Sequence, residues 1–199
     1  MLPAVETPSY ASHVVLPGAF GPRQCERIVE TGEAFGADDA RLASDDPLDE
    51  SLRRARVAWI PPEPDTAWLF EKLGALGRRA NRTYGFDLTG FGEDLQYTVY
   101  DEPGAFYTWH QDGLASDVSS RKLALVVQLS EPHTYEGCDL ELFDTVTDLA
   151  PEDLAESARE RRVLGTVIAF PAFEYHRVTP LVSGVRRSLV VWLSGPPFR

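Results

Sequence analysis

The spacing of apolar residues changes character near residue 90. Before that point it is helical twice. Cys25, Ile28, Val29 and Gly32 fall at i, i+3, i+4 and i+7 behind Gly21-Pro22, which predicts a helix with proline in its first turn. Cys25 on that stripe reads as a core residue rather than a reactive one. Leu69, Leu73, Leu76 and Ala80 predict a second helix that starts near Asp65-Thr66 and fades before Tyr84-Gly85. Two extended runs flank these helices. Residues 13–16 stop at Pro17-Gly18, and residues 54–60 stop at Pro61-Pro62. Residues 36–52, with little periodicity, predict an acidic, mobile loop.

After about residue 94 the texture is that of short strands. Residues 95–100 are rich in strand formers, and Asp101-Glu102-Pro103-Gly104 makes a turn. A strand from about Phe106 follows and carries His110 and Asp112. Residues 123–129 are almost continuously apolar, as in a strand covered on both faces. Further strands are expected at 139–143, 163–170, 174–178 and 186–193. Residues 151–162 interrupt them as a helix with acid at its start and arginine at its end, matching the helix dipole. Two helices followed by many short strands predict helices packed on a β-sandwich or open barrel.

Composition narrows the function classes. At 199 residues, 43% hydrophobic and 25% charged, the chain reads as one soluble globular domain spanning 1–199, helical to about residue 90 and β-rich beyond. A formal net charge of −12 argues against generic binding to nucleic acid or anionic membrane. Two cysteines imply no disulfide framework. The first residues lack the basic and apolar regions of a signal peptide, so a cytoplasmic location is the expectation.

The candidate chemistry lies in the β-rich half. His110 and Asp112 are two residues apart, so on a strand they project from one face. With His176 they offer two imidazoles and one carboxylate, the ligand set that leaves open positions on a non-haem ferrous ion. Around His176 the chain reads Gly-Thr-Val-Ile-Ala-Phe-Pro-Ala-Phe-Glu-Tyr-His-Arg-Val-Thr-Pro, then Gly184-Val185-Arg186-Arg187-Ser188 and Val-Val-Trp. In this order of motifs the sequence resembles the 2-oxoglutarate and Fe(II)-dependent dioxygenases, in their prolyl 4-hydroxylase-like branch. The resemblance runs from about Leu95 to Trp192.

It implies a jelly roll, or double-stranded β-helix, in an α+β, mainly β chain with N-terminal helices packed against one sheet. It implies His110, Asp112 and His176 as metal ligands. Arg186, ten positions after His176, matches the basic residue that holds the distal carboxylate of 2-oxoglutarate, a task suited to a guanidinium fork. Ser188 shares its strand face and could add a hydroxyl, whereas Arg187 should point away. Tyr100, ten residues before His110, matches a tyrosine that reaches the cosubstrate, and Tyr107 matches the same mouth; for both, a plain core aromatic is an equal reading. Residues 135–140 look like the family's Tyr-x-Gly-Gly-x-Leu with Cys138 in place of the second glycine. Residues 36–52 and 113–121 are candidate lids. His13 and His133 have no comparable partners, and His133 reads as an exposed loop residue.

The implied activity is hydroxylation of an unactivated C–H bond in an amino acid, peptide or peptide-like natural product. It would use Fe(II), 2-oxoglutarate and dioxygen, with ascorbate as the reductant that serves similar enzymes. Two alternatives stay open at this point: a cupin-like metal hydrolase or isomerase, and a non-catalytic binding module on the same barrel. A small-molecule or peptide partner is expected. The sequence does not define oligomeric state.

Overall fold

The computed structural model of the chain describes residues 10–39, 52–113, 118–143 and 151–197, without the side chains of 38, 39 and 151–155. Among the described residues, three α-helices accompany antiparallel strands. In chain order these are β1 (Val14–Leu16), α1 (Pro22–Phe35), β2 (Asp38–Asp39), β3 (Arg53–Arg54), β4 (Arg56–Ile60), α2 (Ala67–Tyr84), β5 (Gly90–Phe91), β6 (Leu95–Tyr100), β7 (Phe106–His110) and β8 (Arg121–Gln128). There follow β9 (Tyr135–Gly137), β10 (Leu140–Leu142), α3 (Pro151–Arg162), β11 (Val167–Pro171), β12 (His176–Val178), β13 (Leu181–Gly184) and β14 (Arg186–Ser194).

Among the described residues, β1-β11-β8-β14-β6-β4-β2 form the major sheet, with β5 added beside β14. The minor sheet is β10-β12-β7-β3, and β13 pairs with β9. Alternation along the major strands sends one set of side chains outward and one inward. Outward, Leu95, Tyr97, Val99, Leu123, Leu125, Val127, Leu189, Val191 and Leu193 pack with Ile28, Leu69 and Leu73 from α1 and α2. Inward, Tyr100, Ala124, Val126, Ile168, Phe170 and Trp192 meet Leu140, Leu142 and Val178 of the minor sheet. The apolar run of β8 is therefore buried on both faces for two different reasons. This is the mainly β architecture, with helices against one sheet, that the sequence implied.

Local chemistry explains the element ends. The Gly21 N–H that opens α1 donates to Gln24 Oε1, and Gly85 ends α2 at φ 69° with its N–H on the Asn81 carbonyl. Gly32 is needed for close approach: a Cβ there would lie 2.3 Å from Tyr97 Cγ. The single strand expected over 54–60 is instead two. β3 pairs with β7 in the minor sheet and β4 with β6 in the major one, so the chain changes sheet at Ala55. The short strands β9 and β13 carry too few residues for a periodic signal and were not anticipated. Segment 36–52 falls mostly outside the described residues, as does the centre of 113–121.

Candidate functional site

His110 ends β7, and its register partner across the minor sheet is His176, the first residue of β12. Asp112 lies beyond the end of β7, not on it as expected. Its position is set by backbone bonds instead: the N–H groups of Asp112 and Gly113 both donate to the Ala172 carbonyl, at 2.8 and 3.0 Å. The three residues converge, with one ligand atom from each within 4.8 Å of the others.

The orientation of each ring is fixed from behind. His110 Nδ1 lies 2.8 Å from the Thr108 carbonyl and His176 Nδ1 lies 2.9 Å from the Glu174 carbonyl. A carbonyl only accepts, so both Nδ1 atoms carry a proton and both Nε2 atoms are turned toward the centre. Those Nε2 atoms stand 3.5 and 3.6 Å from Asp112 Oδ1 and Oδ2. Trp192 Nε1 donates to Asp112 Oδ2 at 2.9 Å. Burial pushes the Asp112 carboxyl up, but the two histidines and the indole N–H outweigh it and hold the group below the usual carboxylate range. Burial pushes the His176 imidazole down to about 4, with Asp112 opposing. The carboxylate is therefore ionised and His176 neutral at physiological pH, the protonation states that bind a metal.

Aromatic rings wall the centre. Tyr107 stacks on His110 at 3.5 Å between centroids, and Phe170 lies 4.7 Å from His176. Arg121 covers Trp192 at 3.8 Å, pairs with Glu93 and donates to the Asp112 carbonyl at 3.3 Å, bracing the indole that orients the carboxylate.

Arg186 opens β14 opposite Tyr100 on β6 and is only 1% exposed. One terminal nitrogen, Nη2, donates to Gln128 Oε1 at 3.1 Å; the other, Nη1, has no hydrogen-bond partner. Its remaining neighbours are the Tyr100 ring, 5.5 Å from the guanidinium carbon, the Cys138 thiol and Tyr135. Burial pushes Cys138 up to about 11 and Tyr100 up to about 12, so both are neutral. Among the described residues no carboxylate pairs with Arg186. A buried cation facing only neutral groups is costly unless an anion joins it. Ser188 is buried two residues along the same face, opposite Gln128 and Thr98. Arg187 points outward as expected and bonds Glu33 on α1.

The donor set fits ferrous iron: two imidazoles and an ionised carboxylate on one side. The orphaned Arg186 nitrogen fits the far carboxylate of a dicarboxylic cosubstrate. Cys138 adopts φ 55° beside Gly137 at φ 70°, so the second glycine of the expected motif is replaced without losing its left-handed backbone. His133 is exposed in a short 3-10 turn, and His13 bonds Ser12 away from the centre. Sequence reasoning did not assign Trp192, Arg121, Gln128 or Arg53. Of these, Trp192 was within reach, because it shares strand parity with Arg186.

A jelly roll with a paired-histidine, single-carboxylate centre and a buried cation defines a class of mononuclear metal oxygenases. A family model described as the 2OG-Fe(II) oxygenase superfamily matches residues 95–194, and the chain belongs to that family. A PKHD-type hydroxylase of Janthinobacterium sp. (strain Marseille) is 32% identical over 98 residues, which is 46% of this chain and 39% of that protein. One of Synechococcus sp. (strain CC9902) is 32% identical over 93 residues, 46% of this chain and 37% of that protein. The chain thus matches well under half the length of these curated relatives. The fold is shared with a Pseudomonas putida prolyl-4-hydroxylase at TM-score 0.67 and 21% identity, over 93% of both chains. It is shared with a Trichoplax adhaerens prolyl hydroxylase, solved with a hypoxia inducible factor peptide fragment, at TM-score 0.71 and 16% identity, over 92% of this chain and 83% of that one. No helix among the described residues is long and apolar enough to cross a membrane.

Proposed function

We propose that the chain is an Fe(II)- and 2-oxoglutarate-dependent hydroxylase acting on an unactivated C–H bond of an amino acid, a peptide or a peptide-like natural product. The observation that carries this reading is the coexistence, between the same two sheets, of a converged His110–Asp112–His176 set and a buried Arg186 with an unpaired N–H. Family membership supplies the cofactor requirement, and the hydroxylase relatives support the reaction class.

His110, Asp112 and His176 would hold the metal, which when bound with 2-oxoglutarate supplies the dioxygen chemistry that oxidises the target carbon. Arg186 fixes the far end of the cosubstrate through charge-assisted hydrogen bonds, with Gln128 holding the guanidinium in plane and Tyr100 and Ser188 lining its approach. The Trp192 N–H keeps the Asp112 carboxylate turned toward the imidazoles. Tyr107 and Phe170 place aromatic surface against the two imidazoles, which would limit side reactions at the centre. Retention of the Asp112 carboxylate favours hydroxylation over halogenation, since a halide would need that position.

The test is anaerobic addition of Fe(II) and 2-oxoglutarate, followed by air. A visible charge-transfer band and then succinate, with one oxygen gained by an amino acid or short peptide in a mass-spectrometric screen, is the expected result. Absence of both band and succinate would move the chain to a metal hydrolase or isomerase.

A further inference from the structure

We infer that Arg53 is a second anion receptor beside the same centre and that it selects a substrate bearing a carboxylate. The inference rests on the hydroxylase reading above and names the substrate class for that site. Arg53 comes from β3, where the chain is about to leave the minor sheet, and its register partner is Tyr107. Its side chain reaches across the gap: Nη1 donates to Gln96 Oε1 on β6 of the major sheet at a long 3.4 Å. Its guanidinium carbon sits 4.8 Å over the Tyr107 ring, and Tyr107 in turn stacks on His110. A guanidinium is thus placed one aromatic ring away from a proposed metal ligand.

Arg53 is 8% exposed, its Nε has no hydrogen-bond partner, and among the described residues no carboxylate pairs with it. Gln96 does not neutralise it, because an amide carries no charge; its Nε2 donates to Thr98 Oγ1 at 3.0 Å, which turns Oε1 toward the guanidinium. Tyr107 offers a ring face, which is weaker than an ionised partner. In a chain of net charge −12, Arg53 and Arg186 are buried guanidinium groups with no carboxylate partner among the described residues, and both lie close enough to Tyr100 to act on its hydroxyl. One molecule of 2-oxoglutarate accounts for Arg186 alone, since its other end belongs to the metal. The second cation calls for a second anion, and the molecule left to bring it is the substrate. Two sources share that chemistry: the α-carboxylate of a free amino acid, and an acidic side chain beside the target residue in a peptide.

The experiment is calorimetric binding to the anaerobic Fe(II)- and 2-oxoglutarate-loaded protein, repeated on the protein without either. Free L-amino acids are compared with their carboxamides. Acetylated, amidated dipeptides of proline with Asp or Glu are compared with those carrying Asn or Gln. Wild-type protein is expected to favour the carboxylate of one series by about 10- to 100-fold, the range for a charge-assisted bond to a buried cation. Arg53→Gln should erase the preference, Arg53→Lys should keep part of it, and neither should change the affinity for 2-oxoglutarate. The series that shows the preference identifies the source. A preference that survives in Arg53→Gln overturns the assignment, as does a loss of 2-oxoglutarate affinity in its place, or no discrimination by wild type in either series. Arg53→Lys preserves the charge, so it reads the site even where the glutamine variant does not fold. Failure of the hydroxylase reading would appear separately, as absence of 2-oxoglutarate binding in wild type.

Discussion

The outward and inward faces of the major sheet are built from the same strands yet do different work. Along β14, Leu189, Val191 and Leu193 face α1 and α2 and join a continuous apolar core. The intervening Arg186, Ser188 and Trp192 face the minor sheet, joined there by Gln96, Thr98 and Gln128 from its neighbours β6 and β8. The outward face gains stability from apolar burial, each large side chain contributing roughly 1.5–3 kcal/mol. The inward face gives up some of that stability by burying Arg186 and Arg53 with nitrogen atoms that find no partner. On these two guanidinium groups the unmet capacity fits an anionic ligand. The comparison therefore predicts that stability and binding can be altered independently, face by face.

The largest effect is expected at the centre itself. Asp112→Ala should abolish iron-dependent turnover and leave purified protein without stoichiometric iron by elemental analysis, while circular dichroism stays native. On the outward face, Leu73→Ala should cost about 2–5 kcal/mol in urea unfolding, because the fully buried side chain leaves a cavity against the sheet. The folded Leu73 variant should still bind Fe(II) and 2-oxoglutarate as wild type does; a weakened site would show that the faces are coupled. Arg186→Met should do the reverse. Its 2-oxoglutarate affinity should fall about 10- to 150-fold, the range for a lost charged hydrogen bond, without a drop in Tm, since a desolvated cation has been removed. High 2-oxoglutarate should recover its turnover, and unchanged affinity would refute the role.

Trp192→Phe keeps the ring but removes the N–H that orients Asp112. Iron affinity should fall about 10- to 100-fold, as for other groups that hold a metal ligand from behind. The smallest effect concerns pH. Burial raises both thiols, Cys25 on the outward side and Cys138 beside Arg186, from 9.0 to about 11. A raised folded pKa contributes stability that is complete below pH 9 and disappears as pH rises toward 11. Urea midpoints should decline over that window, and the decline should be shallower in Cys25→Ala and Cys138→Ala. A midpoint that stays flat from pH 9 to 11 in wild type would remove burial as the cause.

Much of this arrangement was legible in the chain. Helical spacing at Cys25, Ile28 and Gly32 and at Leu69 and Leu73 located α1 and α2, since a helix on a sheet must repeat its apolar stripe each turn. Order and spacing from His110 to Arg186 singled out the three residues that converge in the fold, and strand parity separated Arg186 and Ser188 from Arg187. What the linear pattern could not carry was partner choice. Splitting 54–60 into β3 and β4 depends on which neighbour each half finds, and that is a property of two sheets closing on each other. Asp112 reaches the centre through backbone bonds to Ala172 and not through alternation. Nothing in the linear pattern singles out Arg53; only packing against Tyr107 and Gln96 makes it a buried cation. Sequence alone determined the helices, the strand-rich half and the identity of the chemical groups, because those follow from local periodicity and residue type. Tertiary structure alone decided which of those groups lose water together, because desolvation depends on contacts between residues far apart in the chain.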